Sequence, residues 1–361
     1  MAEDIDFVFD AEDGDWIKEA DPEITPDSEL FAQDAIKVVR GDKLIKVEWE
    51  ENEHPRAEDG RFGTKAGERE STKEEKAKEP AQAPAHSKKS SIPRGDYQTL
   101  IRAMSFSSDE AKDMLKRHNL TTEEARTKIV NARKESQSFP STILKHRDAA
   151  GKVTKERQAV YDKIVDTALE GKKPAEGRSL HFIITGGLPG SGKSSILEQD
   201  MYKGAVENSV LIDADDIRIK LAKVDGIDNV GTHSASYQDE TDEVIEDMFY
   251  KAVRSGLDII YDSTMKTSDR LVKFVEELRK IGGTSEVAFS DVPLEKSMTR
   301  AMARFFSGGR FVDPNYIITH DHKNMQTLEF MKSKVDKWRH WSNDVPYGEG
   351  PKLIRSDEHG G

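Results

Sequence analysis

Apolar residues are distributed unevenly along the chain. From residue 173 onward, short apolar runs of strand type fall at 180–185, 209–213, 257–262 and 285–290, with a further one at 352–355. Helical stretches alternate with them, at 194–203, 215–223, 238–255, 268–281 and 293–305. Strand-helix alternation of this kind predicts a mostly parallel, doubly wound α/β sheet with ligands at the carboxyl ends of its strands. Residues 96–172 carry helical periodicity instead. Residues 97–104 open the region, and Ser107 and Ser108 precede a second helix. Thr121 supplies a hydroxyl N-cap, with Glu123 and Glu124 in the first turn of a third helix that runs to about Ser136, short of Pro140. Between Lys152 and Glu170, the residues Val160, Tyr161, Ile164, Val165, Ala168 and Leu169 share one helical face, so that helix should pack on something. The region is either a small bundle or an appendage on the core. Trp338 and Trp341, three apart, are expected to pack a last helix onto the core.

The first 95 residues look different. Residues 1–50 are acidic with scattered apolar positions. Two β-type runs flank Arg40, Gly41, Asp42 and Lys43, which predicts a hairpin, and residues 7–9 can form a short strand. Residues 51–95 have linker composition and are low in complexity over 76–85, too polar to offset their ordering entropy. Three regions follow: an acidic, mostly disordered tail and linker (1–95), a helical region (96–172) and the α/β core (173–361).

Composition adds exclusions. Of 361 residues, 35% are hydrophobic and 34% charged, with mean hydropathy −0.72, so part of the chain is expected to be disordered. The net charge of −13 argues against a protein built around nucleic acid. Without cysteine there are no disulfides and no thiolate metal sites. No apolar run has membrane-spanning length and the acidic N-terminus does not resemble a signal peptide, so no membrane partner and a cytoplasmic location are expected.

The strongest chemical signal is the stretch Gly187, Leu188, Pro189, Gly190, Ser191, Gly192, Lys193, Ser194, followed by Ser195. It fits the phosphate-binding loop G-x-x-x-x-G-K-[ST] between an apolar strand and a helix start. Backbone N–H groups of Gly190, Gly192 and Lys193 can point at a phosphate, and the helix dipole favours negative charge there. Lys193 would reach the terminal phosphates of ATP and Ser194 would ligate Mg²⁺. Hydrolysis usually calls for a strand ending in Asp-Glu. The candidate strands here end at Asp213, with Asp215 and Asp216 just beyond, and at Asp262 before Ser263 and Thr264. Transfer to a hydroxyl calls for a carboxylate base and cations over the γ-phosphate. Asp213, Asp215 and Asp216 can supply the base, although Asp215 could instead cap the helix that follows it. Arg300, Arg304 and Arg310 lie on an apparent helix running into the turn Ser307–Gly309, where Arg304 and Arg310 can close over the transferring phosphate. Further on, His233 can line an acceptor pocket or sit in a polar loop. His320 and His322 would diverge on the helix expected there.

Taken together, the P-loop, residues 212–218, Glu240, residues 262–266 and residues 308–312 resemble the zeta-toxin family of P-loop kinases over about residues 180–340. The resemblance implies a P-loop kinase fold and ATP-dependent phosphorylation of a sugar hydroxyl, with UDP-N-acetylglucosamine the best-known acceptor. It further implies that Asp215 is the general base, that Glu240, Thr264 and Lys266 bind substrate, and that Arg304 and Arg310 bind phosphate. Two departures bear on substrate. The family's Glu-Gly-Thr reads Asp262, Ser263, Thr264 here, and its arginine is Lys266, which cannot offer a bidentate fork. Residues 54–63 resemble a short segment of phage-encoded proteins, which implies a phage origin and virion association; a charged linker is the competing reading. The expected partners are a small-molecule hydroxyl acceptor and, through residues 1–95, an antitoxin or virion protein. Two alternatives stand beside the small-molecule kinase: a polynucleotide 5′-hydroxyl kinase, and an assembly protein with a structural ATP-binding core.

Overall fold

The computed structural model describes residues 8–10, 15–17, 35–40, 43–48, 106, 108–345 and 349–358. Strands β1 (Val8–Asp10) and β2 (Asp15–Ile17) pair antiparallel within a unit of their own, Met1–Asp34. In the second unit, Ala35–Gly361, β3 (Ala35–Arg40) and β4 (Lys43–Glu48) pair antiparallel with Arg40 opposite Lys43, the hairpin that the two β-type runs predict. The linker and the helix expected at 97–104 lie outside the described residues.

The core is a six-stranded sheet. Its strands are β5 (His181–Gly186), β6 (Val210–Asp213), β7 (Ile259–Asp262), β8 (Thr284–Asp291), β9 (Lys337–Ser342) and β10 (Lys352–Glu358), in spatial order β10-β9-β8-β5-β7-β6. All neighbours run parallel except β10, which is antiparallel to β9. The order reverses on either side of β5, so the segment after β5 leaves the sheet at the topological switch point, where α/β sheets open a crevice for ligands.

Alternate residues of the strands feed two apolar layers. Phe182, Ile184, Ile212, Ile259, Val287 and Phe289 face the larger one, whereas Ile183, Ile260 and Ala288 face a smaller one. Residues 337–342 form a strand, not the end of a helix. On a strand an odd separation sends side chains to opposite faces. Trp341 is accordingly buried with Ile183 and Tyr202 in the smaller layer, while Trp338 packs against the larger. The single helix expected at 194–203 is also two: α4 (Lys193–Leu197) and α5 (Asp200–Asn208). The backbone turns extended at Gln199, whose side-chain amide donates to the Ser195 carbonyl at 3.0 Å. The turn lets Tyr202 reach the sheet, where its hydroxyl donates to Glu286.

The remaining helices are α6 (Ala214–Val224), α7 (Gln238–Arg254), α8 (Asp269–Lys280), α9 (Leu294–Phe306) and α10 (Pro314–Met331). Upstream of the sheet lie three more: Asp109–Arg117, Thr122–Ser138 and Lys155–Leu169. In chain order these are α1, α2 and α3. Both sequence-legible caps form, Ser108 on α1 and a full capping box between Thr121 and Glu124 on α2. These three helices share no bundle. Tyr161, Ile164 and Val165 of α3 join the larger core layer. Met114 and Leu115 of α1 and Ala125, Ile129 and Ala132 of α2 form a second cluster with Leu188 of the glycine loop, Met298 and Met302 of α9, and Phe311 and Ile317.

Candidate active site

The glycine loop leaves β5 with tight backbone geometry. Gly190 and Gly192 have φ of +84° and +82°, in the left-handed region that favours glycine. A Cβ on Gly190 would lie 2.6 Å from the Ser297 carbonyl of α9, and one on Gly192 would lie 1.7 Å from the Asn343 amide. Hydrogen bonds hold the loop from three sides. Ser290 and Asn343 donate to the Ser191 carbonyl at 2.7 Å each, and Ser297 donates to the Pro189 carbonyl at 2.8 Å. Leu188 is buried beneath it. Gly192 caps α4, so Lys193 opens the helix; its Nζ lies 3.7 Å from Asp262 and 3.5 Å from the Gly187 carbonyl. Ser194 is exposed and Ser195 half-buried.

Opposite the loop, β6 and β7 end side by side, with Asp213 registered against Asp262. Thr185 donates to Asp262 at 2.8 Å. Asp213 is the cap of α6, accepting the Asp215 N–H at 2.7 Å. Burial, and then the neighbouring Asp262 carboxylate, push the Asp213 carboxyl above its ordinary pKa. The capping role suspected for Asp215 therefore belongs to Asp213, and the Asp215 carboxylate serves elsewhere. It accepts from Arg310 Nε at 2.6 Å, from Arg218 at 2.8 Å and from Arg304 at 3.5 Å. Burial alone would raise its pKa, but Arg310, Arg218 and Arg304 outweigh that and hold it below the usual carboxylate range. Arg218 also donates to Gln238, at the start of α7.

These groups surround a cavity of about 430 Å³. Pro189, Gly190 and Lys193 line one wall, Asp213, Asp215, Arg304 and Arg310 another, and Thr264 and Lys266 a third. The Thr264 hydroxyl lies 3.3 Å from that of Tyr316, and Lys266 Nζ sits 5.9 Å over the Tyr316 ring. Ser194 and Ser195 follow the loop outside this lining, and Arg300 turns away to Glu110 of α1 at 2.9 Å. Glu240 is also set apart. It is fully buried, accepting from Arg157 at 2.6 and 3.0 Å, from Tyr161 at 2.8 Å and from Thr142. Burial raises its pKa, yet the bonds from Arg157 and Thr142 hold it low. Glu240 therefore stands outside the cavity lining, its oxygens taken up inside the fold in a buried pair that joins α3 to α7.

His233 stacks on Phe139 at 3.8 Å and lies outside the lining, though Ser234 and Ala235 belong to it. His320 stacks on Tyr316 within α10. Sequence reasoning missed Arg133, Arg218, Arg270 and Tyr316, all in the lining. Arg218 was within reach, because it stands three residues beyond Asp215 on one helix and i,i+3 pairs meet. Nothing local marks the other three, which long-range packing brings in.

Among solved structures, the PezAT toxin–antitoxin system of Streptococcus pneumoniae is 17% identical, with 57% of this chain and 82% of that one covered and a TM-score of 0.43. The AvrRxo1-ORF1:-ORF2 complex with ATP is 15% identical, with 57% and 68% covered and a TM-score of 0.46. No curated protein matches the chain. Residues 152–341, more than half of the chain, match the family described as Zeta toxin, and with its parallel sheet and glycine loop this protein belongs to the zeta toxin family of P-loop α/β folds.

Proposed function

We propose that this protein is an ATP-dependent kinase that transfers the γ-phosphate to a hydroxyl of a small molecule. The observation that carries it is the seating of Asp215 against Arg304 and Arg310 on a cavity shared with Gly190 and Lys193. Transfer to a hydroxyl needs one carboxylate to take the acceptor's proton and cations to neutralise the phosphoryl oxygens, and both kinds of group converge here.

Backbone N–H groups of Gly190, Gly192 and Lys193 bind the phosphates, and Lys193 gives up its contact with Asp262 for them. Arg304 and Arg310 then exchange the Asp215 carboxylate for the γ-phosphate. That exchange removes two of the cations depressing the Asp215 pKa, while its burial remains, so its proton affinity rises as the site fills. Asp215 takes the acceptor's hydroxyl proton, the acceptor oxygen bonds to the γ-phosphorus, and the bond from that phosphorus to the β–γ bridging oxygen breaks. The Ser194 hydroxyl and the Asp213 and Asp262 carboxylates are the oxygen donors that would hold Mg²⁺, and the carboxylate crowding that raises Asp213 is what a cation would relieve. When bound, that ion neutralises phosphate charge.

Thr264 and Lys266 are assigned to the acceptor, with a sugar nucleotide such as UDP-N-acetylglucosamine the first compound to test. An antitoxin or virion partner is assigned to residues 1–95. No helix among the described residues is long and apolar enough to cross a membrane. The test is incubation with γ-labelled ATP and panels of sugar nucleotides, nucleosides and oligonucleotides. Label on a sugar nucleotide or nucleoside is the expected result. Label on oligonucleotides alone would make it a polynucleotide kinase, and ATP binding without transfer to any acceptor would leave the structural-core alternative standing.

A further inference from the structure

Helix α2 lies outside the region that matches the family, which begins at residue 152, yet it lines the cavity through Arg133, Ser136 and Gln137. Those positions are i, i+3 and i+4, one face of a helix. The helix is fastened at both sides of the cavity. Ala125, Ile129 and Ala132 are buried with Met298, Phe311 and Ile317, and Arg133 Nε lies 3.1 Å from Asp313, the cap of α10. Beyond its C-terminal end, Phe139 stacks on His233, Ser141 donates to Asp239 at 2.6 Å, and Thr142 donates to the Ser236 carbonyl at 3.1 Å. Helix α2 therefore bridges the α9–α10 side of the cavity to the α6–α7 side.

Its position relative to the two substrates follows from its neighbours. Asp313 caps the helix that carries Tyr316, and Tyr316 touches Thr264 and Lys266, the groups assigned to the acceptor. Resting on the phosphoryl-transfer reading above, we infer that α2 is the acceptor-side wall of the site, and that Arg133, Ser136 and Gln137 select the acceptor by its uncharged, hydroxyl- or amide-bearing part. The chemistry supports that class. Asp313 offsets the charge of Arg133, so the pair presents hydrogen-bonding groups and little net charge, and Ser136 and Gln137 each both donate and accept. Glu240 is closed off from the cavity by its bonds to Arg157 and Thr142.

The test measures transfer from ATP to UDP-N-acetylglucosamine, or to whichever panel compound wild type labels best, for Arg133→Ala, Arg133→Lys and Ser136→Ala/Gln137→Ala. Binding of a fluorescent ATP analogue is titrated in parallel. The expected result is a KM for the acceptor raised by about tenfold or more in Arg133→Ala and in the double variant, with nucleotide affinity within about twofold of wild type. Arg133→Lys keeps the charge opposite Asp313 but loses the fork, and is expected to stay severalfold above wild type. An unchanged acceptor KM, a loss of nucleotide affinity instead, or full recovery with Arg133→Lys would overturn the assignment while leaving the kinase intact. Absence of wild-type transfer to any compound would instead overturn the kinase reading, and this assignment with it.

Discussion

Arg310 donates its Nε–H to Asp215 at 2.6 Å, across 95 residues of sequence. A guanidinium suited to phosphate holds a carboxylate suited to accept a proton. On the kinase reading proposed above, each masks the other until a phosphate competes for the arginine, so nucleotide binding would release the base. Asp215→Asn is expected to keep ATP binding and lower transfer by about a hundredfold or more, within the range for loss of a general base. Single-turnover kinetics with labelled ATP check it; the same loss in Asp216→Asn, with Asp215→Asn active, would move the base by one residue.

Lys193 lies at the first position of α4, with Asp262 3.7 Å away. Lys193→Ala is expected to remove transfer altogether and to weaken ATP binding, because no other loop side chain brings a positive charge to the terminal phosphates. Fluorescent-nucleotide titration measures it. Full activity in this variant would refute the assignment of the loop.

Glu240 and Arg157 form a buried pair, each 3% exposed or less at the side chain. Breaking such a pair from one side costs about 3–5 kcal/mol. Glu240→Gln is therefore expected to lower the midpoint of thermal unfolding clearly while leaving the acceptor KM close to wild type at a temperature where it stays folded. Thr264→Ala is expected to do the reverse. Calorimetry and steady-state kinetics on the two variants separate a structural carboxylate from a substrate-binding one.

Glu286, buried on β8, is a second structural carboxylate. Burial raises its pKa, but the nearby His181 ring and hydrogen bonds from Arg339 and Tyr202 outweigh that and bring it down to about 2, against an ordinary 4.5. A carboxyl depressed in the folded state stabilises the protein above its unfolded pKa and loses that contribution as pH falls toward the folded one. The window runs from about 4.5 down to about 2, for a total on the order of 3 kcal/mol. Urea unfolding of wild type and Glu286→Gln should therefore differ most near pH 6, less by about pH 3, and converge only as the pH falls toward about 2. A constant difference across that range would rule out the linkage.

Local chemistry determined much of this protein from sequence alone. The glycine loop, the strand before it and the alternation after it specify a P-loop α/β core, because phosphate binding needs consecutive backbone N–H groups and a parallel sheet needs helical crossovers. The capping box at Thr121 and Glu124 and the hairpin at Arg40 and Lys43 were legible for the same reason, since their partners are at most three residues apart. Tertiary structure alone decided what depends on distant partners. Asp213 and Asp215 are two residues apart and chemically identical; a local bond from the Asp215 N–H makes the first a cap, but only the arrival of Arg304 and Arg310 makes the second a candidate base. Glu240 carries the residue type and position of a substrate ligand, yet Arg157, 83 residues earlier, draws it into the core. In sequence helix α2 belongs to either a small bundle or an appendage on the core; packing against Phe311 and Ile317 turns three of its polar side chains toward the cavity. A carboxylate or guanidinium acquires its role from the charges folded against it, and those are set by long-range packing that no local pattern encodes.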